Sequence, residues 1–189
     1  MDIRTEQLII KQSLNDSEAF GKIFEAYYPA IFRYALHRTG DSHAAADIAS
    51  ETFMKAYRNI HKYKYKGYSI SAWLYKIAGN EANLWFRRNK KEKTLGSADE
   101  RADIKDESPL SDPSYEMREA AREIEKNEEF KEVLKVLSLM DEKYREVIVL
   151  RFWEDMKIDE ICRVTGKKPG TVKSLLSRGL GILRKKMEK

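Results

Sequence analysis

The sequence predicts an all-α protein of two small helical domains joined by an acidic flexible linker, the C-terminal one a four-helix helix-turn-helix domain. Three observations predict it. Apolar residues recur at helical spacing through most of residues 5–95 and again from about residue 126 onward. Between them, residues 97–114 carry Asp99, Glu100, Asp103, Asp106, Glu107 and Asp112 with Pro109 and Pro113 and no apolar period, the composition of a solvated linker. Finally, residues 158–187 (IDEICRVTGKKPGTVKSLLSRGLGILRKKM) read as two helices around a tight turn. The predicted units are therefore 1–95, a linker at 96–125, and 126–189.

Bulk composition narrows the function classes. A hydrophobic fraction of 42% supports real cores, and 35% charged residues suit small helical units with much surface. The single cysteine, Cys162, excludes an intramolecular disulfide and suits a reducing cytoplasm; its inward position reads as a small buried hydrophobe rather than a redox sensor. No apolar run has the length of a membrane span, and the opening MDIRTE is not a signal peptide, so a cytoplasmic protein without stable membrane insertion is expected. His37, His43 and His61 have no partners at zinc-ligand spacing, and no phosphate loop, nucleophile elbow or HExxH motif occurs. The expectation is a protein that is not an enzyme and uses no cofactor.

Taken in order, Leu8, Ile9 and Leu14 suggest a first short helix ending near Asn15. Asp16 or Ser17 can cap a second, where Phe20, Ile23, Phe24, Tyr27 and Tyr28 form an aromatic stripe expected to be core. Pro29 is expected to bend or restart that helix, which then runs to Thr39-Gly40. Asp41-Ser42 caps a third, from His43 to about His61, with Ala45, Ile48, Ala49, Thr52, Phe53, Ala56, Tyr57 and Ile60 inward. Its outward side holds Asp47, Ser50, Glu51, Lys55 and Arg58, either a solvated face or an interface.

A basic, aromatic connector follows at 63–69 (YKYKGYS), leading into a helix from about Ser69 to Lys91. On it Lys76, Asn80, Asn83, Arg87 and Lys90 step by four, three, four and three, so they share one polar face, with Trp73 at its edge and Arg87-Arg88 at its cationic end. Rings beside amides and cations suit unpaired nucleic acid: a ring stacks on a base, an amide reads its edge, a cation holds the phosphate. The competing reading makes Trp73, Tyr75 and Trp85 simple helix-packing residues.

In the second domain, Phe130, Val133, Leu134, Val136, Leu137 and Leu139 give a helix, and Asp141 caps another with Val147, Ile148 and Leu150. Ile158, Ile161 and Cys162 then mark a short helix stopped by Thr165-Gly166. Pro169 opens the last helix, whose inner side is Val172, Leu175, Leu176, Leu180, Leu183 and Met187. Thr171, Lys173, Ser174 and Ser177 are placed for base edges or nearby phosphates in a major groove, and Arg178 with residues 184–186 for the backbone. A merely solvated basic face is the alternative.

With both halves laid out, the chain resembles an extracytoplasmic-function (ECF) sigma factor of bacterial RNA polymerase. The likeness rests on Ala19-Phe20 with residues 23–28, 47–57 (DIASETFMKAY), 71–80 (SAWLYKIAGN), Arg87-Arg88, 144–151 (YREVIVLR), 159–161 (DEI), 170–174 (GTVKS) and Arg178. Each motif is weak alone; all of them in this order are specific. The resemblance implies that Asp47, Ser50, Glu51 and Lys55 dock on core RNA polymerase. It implies that Tyr68, Trp73, Lys76, Asn80, Asn83, Arg87 and Arg88 open and hold the promoter minus-ten element. Lys168, Thr171, Lys173, Ser174, Ser177 and Arg178 would read the minus-thirty-five element, and an anti-sigma factor would hold both domains and hide these surfaces.

The chain departs from the family pattern at Leu84, where aspartate is common, at Ser50, where glutamine is common, and at Leu175, usually arginine. Promoter specificity therefore does not carry over. Gly179 and Gly181 weaken the last helix by about 1 kcal/mol each relative to alanine, so its far end is expected to be ordered by packing or by DNA. The rival reading is a stand-alone helix-turn-helix repressor or activator with a helical sensing or dimerisation domain.

Overall fold

The computed structural model describes residues 2–94 and 128–187, and among these every regular element is helical. The helices are α1 (Ile3–Gln12), α2 (Ser17–Thr39), α3 (Ser42–Asn59), α4 (Ser71–Thr94), α5 (Glu128–Ser138), α6 (Glu142–Phe152), α7 (Ile158–Thr165) and α8 (Pro169–Met187), with a 3₁₀ turn at Ile60–Lys62. The linker expected at 96–125 lies outside the described residues.

Local chemistry sets most of the ends. Asp2, Asp16, Asp41 and Asp141 each accept a backbone N–H of the first turn of α1, α2, α3 and α6. Gly40 (φ 69°) and Gly166 (φ 71°) close α2 and α7 in the left-handed region, their N–H groups returning to the Leu36 and Cys162 carbonyls at 2.8 Å. Pro169 is the first residue of α8, as its spacing predicts.

Several expectations need correction. Pro29 neither ends nor restarts α2, which continues for 23 residues; packing of Phe20, Ile23, Ile31 and Phe32 on both sides of the proline outweighs one missing hydrogen bond. Phe24 (40% exposed), Tyr57 (47%), Leu180 (40%) and Met187 (43%) are not core. Phe24 and Tyr57 instead lie over Phe53 and Phe20 at ring distances of 5.0 and 5.1 Å, a second aromatic layer open to solvent. The first helix stops at Gln12, three residues early, and its inward face is Glu6, Ile9 and Ile10 rather than Leu8 and Leu14.

Helices α1 to α4 form one bundle, and α5 to α8 another in which α6 and α7 support α8. The two pack together: α2 lies against α5 and α6, and α4 against α7, so buried residues from Ile9 to Leu176 join in one cluster. Polar groups fasten this contact. Glu154, in the turn after α6, enters the first bundle, where the Tyr75 hydroxyl donates to it at 2.7 Å and His37 Nδ1 and Arg33 Nη2 lie 3.7 and 3.9 Å away. Burial first, then the nearby Glu154 charge, pushes the Tyr75 hydroxyl far above its usual range, so it remains a donor. Arg38, fully buried on α2, donates to Tyr34 at 2.8 Å and to Asn83 at 2.5 Å, with Glu146 of α6 at 3.8 Å. Arg145 of α6 stacks over the Phe86 ring of α4 at 3.7 Å.

The two glycines of α8 differ. A Cβ on Gly179 would meet Ile148 Cδ1 at 2.9 Å and Tyr144 Cβ at 3.3 Å, whereas nothing lies within 4 Å of one on Gly181. Gly179 thus permits close approach of α8 to α6. The expected result is opposite signs in thermal unfolding: Gly181→Ala gains about 1 kcal/mol from helix propensity. Gly179→Ala loses up to about 2 kcal/mol, overpacking outweighing that gain. A stabilised Gly179→Ala would show that α6 and α8 can separate freely.

Candidate nucleic-acid interface

The connector between the 3₁₀ turn and α4 lacks regular structure, yet both its ends are fastened. Tyr63 N–H returns to the Ile60 carbonyl at 3.0 Å and its ring lies 5.1 Å from Trp73, one turn into α4. At the other end, Ser69 Oγ accepts the Ser71 N–H at 3.1 Å. Between these anchors opens a cleft of about 320 Å³ lined by Tyr63, Tyr68, Trp73 and five cations: Lys62, Lys64, Lys66, Lys76 and Arg163. No carboxylate lines it. Half-buried rings among cations give stacking faces and phosphate partners in one place. Burial, with Glu6 the next influence, pushes the Tyr63 hydroxyl up to about 12.

Of the residues predicted on this side, Tyr68, Trp73 and Lys76 meet in the cleft, and Asn80 stands exposed one turn beyond Lys76. Arg87 and Arg88 are exposed further along α4, with Arg87 Nε donating to the Asn83 carbonyl at 3.3 Å. Asn83 is different: half-buried, it turns its side-chain oxygen inward to Arg38. Tyr75 is buried and Trp85 half-buried against the core, so for these two the packing reading describes their place.

Helical periodicity missed five contributors: Lys62, Tyr63, Lys64, Lys66 and Arg163. Tyr63, Lys64 and Lys66 were visible only as part of the basic, aromatic connector at 63–69, and Lys62 just before it gave no signal. Arg163 gave no local signal, because it comes from α7, where its guanidinium lies over the Tyr68 ring at 4.8 Å.

On α8, Thr171, Lys173, Ser177 and Arg178 are exposed together with Lys168, and Ser174 is half-exposed. Val172, Leu175 and Leu176 face the core. Leu175 is thus used for packing. On α3, Asp47 and Ser50 are exposed, while Glu51 and Lys55 pair at 3.3 Å and Lys55 reaches Glu81 of α4 at 2.6 Å. The Tyr28 hydroxyl is raised mainly by burial, with the Asp47 charge adding and a hydrogen bond with Ser50 opposing.

Comparison with known proteins decides what this arrangement belongs to. Residues 23–92 match the family model of sigma-70 region 2, and residues 130–183 that of sigma-70 region 4. The ECF RNA polymerase sigma factor SigW of Bacillus subtilis is 31% identical over 193 residues, covering 99% of this chain and 98% of SigW. The chain belongs to the ECF sigma factors. Such sigma factors recognise promoters for RNA polymerase, and the repressor or activator reading is not favoured. BldN of Streptomyces coelicolor is 28% identical across 95% of this sigma factor, which spans 64% of that protein's length.

Two solved structures share the fold. CnrH, in complex with the cytosolic domain of CnrY, superposes with a TM-score of 0.65 at 19% identity, covering 97% of each chain. RpoE of Bartonella quintana, in complex with the anti-sigma factor NepR, gives 0.63 at 19% identity, covering 89% of this chain and 96% of that one. Among the described residues no helix is long and apolar enough to cross a membrane.

Proposed function

We propose that this sigma factor divides promoter recognition between its halves. Residues 1–95 dock on core polymerase through Asp47, Ser50, Glu51 and Lys55 and capture the unwound minus-ten strand with Tyr68, Trp73, Lys76, Asn80, Arg87 and Arg88. Residues 126–189 read the minus-thirty-five duplex with Lys168, Thr171, Lys173, Ser174, Ser177 and Arg178. The cleft carries the first assignment, since Tyr63, Tyr68 and Trp73 lie among five cations. It offers what an unpaired base and its phosphate require, without any catalytic group. Asn83 joins this face only if the Arg38 link is released.

The packed arrangement is the one the free protein adopts, and the domains part on the promoter. Elements centred 25 base pairs apart lie about 85 Å apart at about 3.4 Å per pair. A compact chain of this length has a radius of gyration of only about 16 Å. Arg163 over Tyr68 must also leave before a base can stack there. The complexes of CnrH with the cytosolic domain of CnrY and of RpoE with the anti-sigma factor NepR support a similar regulator here, an anti-sigma factor that holds this chain closed in the cytoplasm.

Run-off transcription from bacterial genomic fragments with purified core polymerase tests the assignment. Discrete transcripts appearing only when this protein is added are the expected result, and their start sites locate both elements. No transcripts, together with a dimer that shifts duplex DNA alone, would overturn it.

A further inference from the structure

Helix α1 lies outside the segment that matches sigma-70 region 2, and none of its residues lines the cleft. One of them is nonetheless built into the cleft's support. Glu6 is 1% exposed, which for a carboxyl group demands partners. Its Oε1 accepts the Ile70 N–H at 2.7 Å, and its Oε2 accepts the Ser69 hydroxyl at 2.9 Å and the Tyr27 hydroxyl. Tyr27 and Ser69 also meet each other at 3.0 Å, and Ser69 Oγ in turn takes the Ser71 N–H. Burial, and then the bond to Glu6, pushes the Tyr27 hydroxyl up to about 12, so it stays a donor.

The cluster therefore joins α1, α2 and the first residues of α4 at one buried point. Ile70 is fully buried, so its N–H has no access to water and would be orphaned without Glu6. The last connector residues, which precede α4 and lack regular structure, take their position from this bond. Tyr68 is one residue before Ser69, and Trp73 is three residues after Ile70, with its own N–H bonded to the Ile70 carbonyl at 2.9 Å. Both cleft rings are thus set from the same anchor.

We propose that Glu6 is a positioning residue for strand capture: through Ser69 and Ile70 it sets where the Tyr68 and Trp73 rings stand, without touching DNA itself. This rests on the reading of the cleft as the site that holds an unpaired promoter base. Stacking itself tolerates any base; what distinguishes one base from another is the contact to its edge and the fit of the pocket around it, and both shift when the ring that seats the base shifts. Base discrimination is the readout that separates positioning from mere stability: a less stable protein opens all promoters less, leaving their ratio unchanged.

The experiment uses the full-length protein with core polymerase and its own promoter, mapped by run-off transcription. Strand opening is followed by fluorescence of a base analogue on that promoter and on versions substituted at each minus-ten position. Glu6→Gln, Ser69→Ala and Tyr68→Ala are compared with the unaltered protein. Ser69→Ala removes the hydroxyl that joins Glu6 Oε2 to the Ser71 N–H while leaving the Ile70 bond and the packing of α1 in place, and so covers the case in which Glu6→Gln fails to fold.

The expected result is that Glu6→Gln or Ser69→Ala compresses the best-to-worst ratio by about tenfold, and that Tyr68→Ala compresses it at least as much. Core-polymerase affinity should stay within about twofold, since the anchor lies away from α3. If Tyr68→Ala loses discrimination while both anchor variants keep it, the role of Glu6 is overturned and the cleft reading survives. If all three keep it, both are overturned.

Discussion

Replacing Trp73 and Asn80 together by alanine is expected to abolish promoter opening while leaving core-polymerase binding intact. Trp73 lines the cleft beside Tyr63 at 5.1 Å, and Asn80 is exposed on the same side of α4. Trp73 packs only at the edge of the cluster in which Ile31, Phe32, Ile48, Ala49, Phe53 and Leu74 are buried, and Asn80 lies outside it. Loss of a stacking face worth about 1–3 kcal/mol per base, with an amide lost as well, should reduce open complexes about 100-fold. Permanganate reactivity of unpaired thymines measures opening, and titration of labelled protein with core polymerase measures docking. If docking falls in parallel with opening, the face is structural and the single-strand reading is wrong.

The second large effect is expected at Arg145. Its guanidinium, buried to 2% exposure, donates to the Leu137, Ser138 and Met140 carbonyls at 2.6, 2.7 and 2.6 Å, tying α6 to the end of α5. Burial first, then the charge of Arg38, lowers it to about 10, still cationic at neutral pH. Arg145→Leu removes three charge-assisted bonds, those to the Leu137 and Met140 carbonyls buried, with an expected loss of about 3–5 kcal/mol. Because α6 carries Ile148 and Tyr144 against Gly179 of α8, α8 should lose its support too. Hydrogen exchange checks this: amides of α5 to α8 should lose protection while α2 and α3 keep theirs. Uniform loss across both bundles would mean that the domain contact dominates, and no loss would mean that the turn holds without Arg145.

The helices were legible in the sequence because their signals are local. Asp16, Asp41 and Asp141 cap the helices they were expected to cap, and Gly40, Gly166 and Pro169 mark the ends and the start where they stand. Pro29 misled because its local cost was weighed without the burial of its neighbours. Phe24 and Tyr57 misled because helical spacing names a side of a helix but not whether another element covers it.

The site divides in the same way. Tyr68, Trp73, Lys76 and Asn80 could be placed by counting along one chain segment, since a helix and the turn before it fix their neighbours. What spacing cannot supply is any pairing across long separations. Arg163 over Tyr68, Glu154 with Tyr75, Arg38 with Asn83, and Glu6 beneath Ser69 and Ile70 join residues 45 to 95 positions apart, or 63 and 64 for the last. By itself the sequence determined the helices, the two-part plan and the basic faces, all set by composition, capping and period. Only the tertiary structure decided which charges are buried, which amide turns inward and which rings are covered, because those depend on what the packing of distant helices leaves accessible to water.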